Sequence, residues 1–136
     1  MCGIVGIFGY NQPVQSYKGY IDKCLHTMQR RGPDSNGIWN DAVNYLAGFV
    51  RLAIRDTSTC GNQPMVSSCG NFVLSFNGEI YNSDAFIPLL KNKGVVFKSH
   101  ADTEVLLYGL MHLGLNKVLE EFDGMFAFAF YDKRKN

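Results

Sequence analysis

The chain predicts an α+β fold in which helices cover sheets. Three observations lead there. Several short apolar segments are bounded by turn residues, three longer stretches have helical spacing, and the run from Met125 to Tyr131 is apolar on both faces. A length of 136 residues gives one domain with a real core.

The elements follow in chain order. Residues 4–8 form a short apolar run ending at Gly9 and read as a buried strand. Gly3, Gly6 and Gly9 recur every third residue. That spacing misses the dinucleotide fingerprint but suits close approach of a substrate to backbone. Residues 13–31 are helix-like, with Tyr17, Tyr20 or Ile21, Cys24, Leu25 and Met28 at three- and four-residue steps. The cluster from Arg30 to Asp34 ends that helix, because Pro33 disfavours helical geometry at Gly32. Strands are expected at 37–39, 45–54 and 72–76, with Asn77-Gly78 as a turn after the third.

A helix is expected after Ser83, an N-cap residue, to about position 93, with Gly94 as its stop. Pro88 lies inside it and argues against its continuity. Residues 95–97 read as a strand. Asp102 or Thr103 begins a further helix, with Val105, Leu106, Leu110 and Leu113 on one side and Gly114 after it. In the last run Phe126, Phe128 and Phe130 share one face, and Ala127 and Ala129 share the other. Both faces are apolar, so this strand is expected to be covered on both sides. The polar turn that follows calls for a partner strand, and none is encoded. The bare edge predicts association.

Composition narrows the function classes. The chain is 46% hydrophobic and 18% charged, with a net charge of +1. That balance gives no basic footprint for nucleic acid or a membrane surface. No apolar run approaches the ~20 residues of a membrane-spanning helix. The N-terminus lacks the pattern of a secretory signal, so a cytoplasmic protein with reduced thiols is expected. Cys2, Cys24, Cys60 and Cys69, with His26, His100 and His112, show no zinc-ligand spacing.

The chemistry starts at Met1-Cys2. Once Met1 is removed, Cys2 carries a thiol and a free α-amine on one carbon. The thiolate is the nucleophile. An α-amine titrates near pH ~8, so it can take the thiol proton without a histidine. Arg51 lies among apolar residues and calls for a carboxylate, from the protein or from a ligand. Asn77-Gly78 is either a tight turn or a side-chain amide and an N–H aimed at one oxygen, an oxyanion hole. Asp102 is either a helix cap or the partner of a ligand ammonium. Glu79 adds a carboxylate beside Gly78.

These residues sit in stretches that together resemble a known family. They are Met-Cys-Gly-Ile-Val-Gly at 1–6, Arg-Gly-Pro-Asp at 31–34, Arg-Leu-Ala-Ile at 51–54 and Gly-Asn-Gln-Pro-Met at 61–65. Asn-Gly-Glu-Ile-Tyr-Asn at 77–82, Asp-Thr-Glu-Val at 102–105 and Gly-Met-Phe-Ala-Phe at 124–128 complete the set. In this order they resemble the glutaminase domain of class II glutamine amidotransferases, most closely the asparagine synthetase type. The resemblance runs over 1–136 and implies an N-terminal nucleophile hydrolase fold, a four-layer αββα sandwich of antiparallel sheets.

The resemblance also implies hydrolysis of L-glutamine to glutamate and ammonia. Cys2 is then the nucleophile and its α-amine the base, with Asn77 and the Gly78 N–H as the oxyanion hole. Arg51 holds the α-carboxylate of glutamine and Asp102 its α-ammonium, while Glu79 and the backbone around Ile54 and Arg55 line the pocket. No cofactor is implied in this domain. ATP and magnesium belong to a synthetase domain or subunit that accepts the ammonia and is absent here. Phe49, Arg55 and His100-Ala101 depart from the family's usual residues. Family members also continue past Asn136, so the chain reads as a truncated domain, a split gene product or an excised piece. The alternative is an inactive amidotransferase-like domain serving only as a binding or structural fragment. A thiol enzyme of another class ranks below both.

Overall fold

Two three-stranded antiparallel sheets stack face to face, and each carries helices on its outer side. The computed structural model describes residues 2–9, 13–54 and 56–135. The elements are β1 (Gly3–Phe8), α1 (Lys18–Met28), β2 (Ser35–Asn40), β3 (Tyr45–Arg51), β4 (Met65–Val66), β5 (Phe72–Ile80), α2 (Ser83–Asn92), α3 (Asp102–His112), α4 (Leu115–Glu121) and β6 (Gly124–Asp132). One sheet has the order β1-β3-β2 and the other β4-β5-β6.

Three apolar clusters account for four layers. Ile21 and Leu25 of α1 pack with Val14 on Leu46 and Val50 of β3. Gly48 lets α1 lie close, since a Cβ there would sit 2.7 Å from Ile21 Cγ2. Side chains alternate along a strand, so Tyr45, Ala47, Phe49 and Arg51 point the other way. On that inner face Tyr45 and Ala47 meet Val73 of β5 and Tyr131 of β6, with Trp39 and Ala129 at the margin. Phe72, Leu74 and Phe76 of β5 face outward to Leu106, Leu107 and Leu110 of α3. Helix α3 is buried from Asp102 to Leu110, as a helix wedged between a sheet and its neighbours must be. This is the αββα architecture that the resemblance implies.

Several expectations change. Asn77-Gly78 is not a turn: β5 runs on to Ile80, pairing Asn77 with Ala127 and Gly78 with Phe126. Gly78 serves a close crossing instead, since a Cβ there would lie 2.3 Å from the Met125 carbonyl oxygen. The strand expected to reach position 54 stops at Arg51, and the one expected at 37–39 lengthens to Ser35–Asn40. The helix expected over 13–31 begins as a 3-10 turn at Val14–Tyr17. Ser83 is the first residue of α2, with Asn82 at the N-cap position and its side chain turned to Glu121 and Asp123. Pro88 leaves α2 unbroken: it and Asp84, whose carbonyl it deprives of a partner, both face solvent.

No strand forms at 95–97. Val95 donates its N–H to the Leu90 carbonyl at the end of α2, and Glu104 accepts the N–H groups of Lys98 and Ser99. Strand β4 and helix α4 were not expected. Gly114, with φ +86°, follows the end of α3 as expected and stands at the start of α4. Strand β6 is less covered than its sequence suggests. Phe126, Phe128 and Phe130 are half-buried against the helix-side core, Ala127 is exposed, and among the described residues β6 pairs with β5 alone.

Candidate active site

The ends of β1 and β3 in one sheet meet the end of β5 and the start of α3 across a cavity of about 320 Å³. That is the lower end of the size range of small-molecule sites. Cys2, Arg51, Ile54, Asn77, Gly78, Glu79 and Asp102 all line it. Sequence positions a hundred residues apart meet because β3 delivers Arg51 on the face turned toward the second sheet, while β5 delivers Asn77 and Glu79 by the same alternation. Arg55, the remaining expected lining residue, lies outside the described residues.

Cys2 precedes β1 and is half-buried. The Leu52 N–H approaches its sulfur at 3.3 Å, and the thiol lies 3.7 Å from the Leu52 carbonyl. The Arg-Gly-Pro-Asp stretch fixes this corner. Arg31 Nε donates to the Cys2 carbonyl at 3.1 Å, Asp34 Oδ2 accepts the Ala53 N–H at 2.7 Å, and the Asp34 N–H reaches the Arg51 carbonyl. Gly32 passes so close to β3 that a Cβ would sit 2.4 Å from the Val50 carbonyl carbon.

Arg51 is 7% exposed. Its guanidinium donates through one nitrogen to the Ser58 carbonyl and to Asn62 Oδ1, each at 2.7 Å, and through the other to the Asp56 carbonyl. The cation therefore holds the 56–62 loop with three of its five N–H donors. Gly61 leaves room for it: a Cβ there would come within 2.4 Å of a guanidinium nitrogen. Asp56, also on the cavity wall, accepts the N–H groups of Ser58 and His100. Hydrogen bonds from the Ser58 side chain and backbone and from His100, helped by the nearby Arg51 charge, hold its carboxyl below the ordinary carboxylate range.

Asn77 is half-buried, and Gly78 and Glu79 are exposed at the cavity mouth. Asp102 is buried as the first residue of α3, after Ala101 at the N-cap position. Its Oδ2 accepts the Ile80 N–H at 3.0 Å and ties α3 to the end of β5. The cavity thus offers a thiol from just before β1, an amide side chain from β5, and a guanidinium and carboxylates along the same walls. Gln63, Gly61, Thr103, Asp56 and Met125 also line it and were not singled out from the sequence. Gly61, Gln63 and Thr103 lie inside stretches that carry the family resemblance. Met125 lies in another such stretch, 124–128, and Asp56 alone had no local signal.

Among the described residues no group of three or more histidines, cysteines or acids could hold a metal, and no helix is long and apolar enough to cross a membrane. All four cysteines are free thiols.

The family model described as a glutamine amidotransferase domain matches residues 1–136. Glutamine-hydrolysing asparagine synthetase 3 of Bacillus subtilis is 33% identical over 138 residues, covering 100% of this chain and 22% of that protein. The putative glutamine-hydrolysing asparagine synthetase 2 of Methanocaldococcus jannaschii is 36% identical, covering 99% and 28%. This chain therefore spans less than a third of the length of these curated relatives. The solved glutamine phosphoribosylpyrophosphate amidotransferase from B. subtilis, complexed with ADP and GMP, superposes with a TM-score of 0.74 at 22% identity, over 98% of this chain and 35% of that one. At that identity the likeness shows a shared fold.

Proposed function

The chain belongs to the glutamine amidotransferase domain family, and from that premise we propose that it hydrolyses L-glutamine to L-glutamate and ammonia, with Cys2 as the nucleophile. The observation that carries the reading is the convergence of Cys2, Arg51, Asn77, Gly78 and Asp102 on one cavity from the segment before β1 and from β3, β5 and α3. A zwitterionic amino acid needs a cation and an anion at its head, and its amide needs a nucleophile and oxyanion donors at its tail.

In this reading Arg51 binds the α-carboxylate with the donors the loop leaves it, and Asp102 binds the α-ammonium. Glu79 and the backbone around Ile54 and Arg55 complete the pocket. Removal of Met1 frees the Cys2 α-amine, which takes the thiol proton. The thiolate attacks the side-chain carbonyl carbon, and the Asn77 amide N–H and the Gly78 N–H donate hydrogen bonds to the oxyanion that forms. The protonated α-amine gives its proton to the leaving nitrogen, the C–N bond breaks and ammonia departs, leaving a thioester. Water then adds to the thioester, giving a proton to the amine. Glutamate leaves, and the thiol is restored.

The similarity to asparagine synthetases supports a role in supplying this ammonia to an ATP-dependent synthetase domain or subunit. The test is glutamate release by the chain with Met1 removed, beside Cys2→Ala. Turnover by the first and none by the second is expected. An undiminished rate in Cys2→Ala sinks the assignment, and a silent wild type favours the inactive-fragment alternative.

A further inference from the structure

We infer that Gln63 is a positioning residue of this site, whose side-chain amide fixes the backbone beside Asn77 and the helix residue beside Asp102 in one set of hydrogen bonds. The inference rests on the glutaminase reading above and adds a residue to it.

Gln63 is 8% exposed. Its Oε1 accepts the Phe76 N–H at 2.6 Å, and its Nε2 donates to the Phe76 carbonyl at 3.1 Å and to Thr103 Oγ1 at 3.3 Å. Both amide hydrogens are used, and the oxygen is paired. The strand register explains why a side chain does this work. Strand β4 pairs Met65 with Leu74 and Val66 with Val73. Continuing that ladder puts Pro64, which has no N–H, opposite Ser75, and Gln63 opposite Phe76.

The Gln63 backbone does not take up that pairing. Its carbonyl lies against β2 of the other sheet, where a Cβ on Gly37 would come within 2.2 Å of the oxygen. The Phe76 N–H and carbonyl are thus left at a ladder end inside the protein, and the primary amide of Gln63 supplies the missing strand partner. Its second hydrogen reaches across to α3. One buried group therefore joins the edge of the first sheet, β5 and the first turn of α3.

Phe76 is one peptide from Asn77, and Thr103 is one peptide from Asp102. A shift of the Gln63 amide moves the groups assigned to both ends of glutamine relative to each other. Asparagine is one methylene too short for this span. A carboxylate accepts the Phe76 N–H but cannot donate to the Phe76 carbonyl.

The test is Gln63→Glu in the full chain with Met1 removed, read by glutamine turnover and by alkylation of Cys2 with iodoacetamide, which needs neither Asn77 nor Asp102. A misplacement of about 1 Å costs about 100-fold. The expected result is a fall of roughly that size in kcat/KM at neutral pH, with Cys2 alkylation within about threefold of wild type. Burial raises the pKa of a carboxyl, and its protonated form regains one donor. The ratio of variant to wild-type kcat/KM is therefore expected to recover as pH falls. A kcat/KM within about threefold of wild type at every pH overturns the inference, and so does alkylation falling in step with turnover. If Gln63→Glu fails to fold, Thr103→Val removes only the cross-link to α3. A roughly tenfold loss of kcat/KM is expected there, and no loss overturns the inference. A wild-type chain that does not turn over glutamine fails the glutaminase reading itself. An active wild type with unaffected variants fails only the role of Gln63.

Discussion

Arg51→Lys separates the two duties that the structure gives this cation. The guanidinium reaches the Ser58 carbonyl and Asn62 Oδ1 from one nitrogen and the Asp56 carbonyl from the other. A lysine ammonium is a single point and keeps one of these clusters at most. A hydrogen bond to a charged group is worth about 1.5–3 kcal/mol where water is excluded. Ser58 and Asn62 lie on an exposed loop, where water replaces part of what is lost. The expected net cost to stability is therefore about 1 kcal/mol, a fall of about 4 °C in Tm for a domain of this size. The ligand side loses more, because a planar fork that grips a carboxylate at two points becomes one contact. At about 2 kcal/mol that is roughly 30-fold, and it falls on KM for glutamine with kcat within about threefold. Glutamate release across a glutamine series, beside a thermal melt, reads both quantities. An unchanged KM with a lowered Tm makes Arg51 a loop anchor only. A collapse of kcat at constant KM places it in the chemistry, and either result refutes the assignment.

Asn77→Ala removes an oxyanion donor and is expected to lower kcat by about 10²–10³ with little change in KM, read by the same assay; equal kcat values refute the role. Gly78→Ala forces a Cβ against the β6 backbone, 2.3 Å from the Met125 oxygen and 2.5 Å from Phe126 Cα. The expected loss is about 3 kcal/mol, or roughly 10 °C in Tm, and an unshifted melt contradicts the close crossing. Asp41 gives a pH dependence. Burial pushes its carboxyl up, but the Tyr131 hydroxyl and the N–H groups of Tyr45, Asn44 and Val43 outweigh this and leave its pKa below the ordinary value. Its stabilisation is then full above the unfolded-state pKa of about 4 and disappears as pH falls through the folded value. The gap in unfolding free energy between wild type and Asp41→Asn is expected at neutral pH and to close in acid. A gap that widens in acid reverses the sign.

Much of this fold is legible in the sequence where one element decides its own state. The apolar runs of β1 and β3 and the periodicity of α3 all fix local structure. The failures lie where tertiary contacts override a local signal. Asn77-Gly78 has the chemistry of a turn, yet β6 takes the edge of β5 and needs the missing Cβ of Gly78 to do so. Residues 95–97 are β-prone, yet the Val95 N–H is claimed by the end of α2 and those of the following Lys98 and Ser99 by Glu104. The site divides the same way. Cys2, Arg51, Asn77 and Asp102 announce themselves by charge or reactivity. Gln63 does not, because its role depends on a ladder that stops at Pro64 and on a helix that starts forty residues later.

The most direct test of the central claim is the intact mass of the purified chain before and after reaction with a glutamine-analogue alkylator such as a diazoketone amino acid. The account predicts a chain lacking Met1 that gains one adduct on Cys2, with the gain suppressed by excess glutamine and absent in Cys2→Ala. A chain that lacks Met1 and gains no adduct, or gains it on Cys24, Cys60 or Cys69, contradicts it.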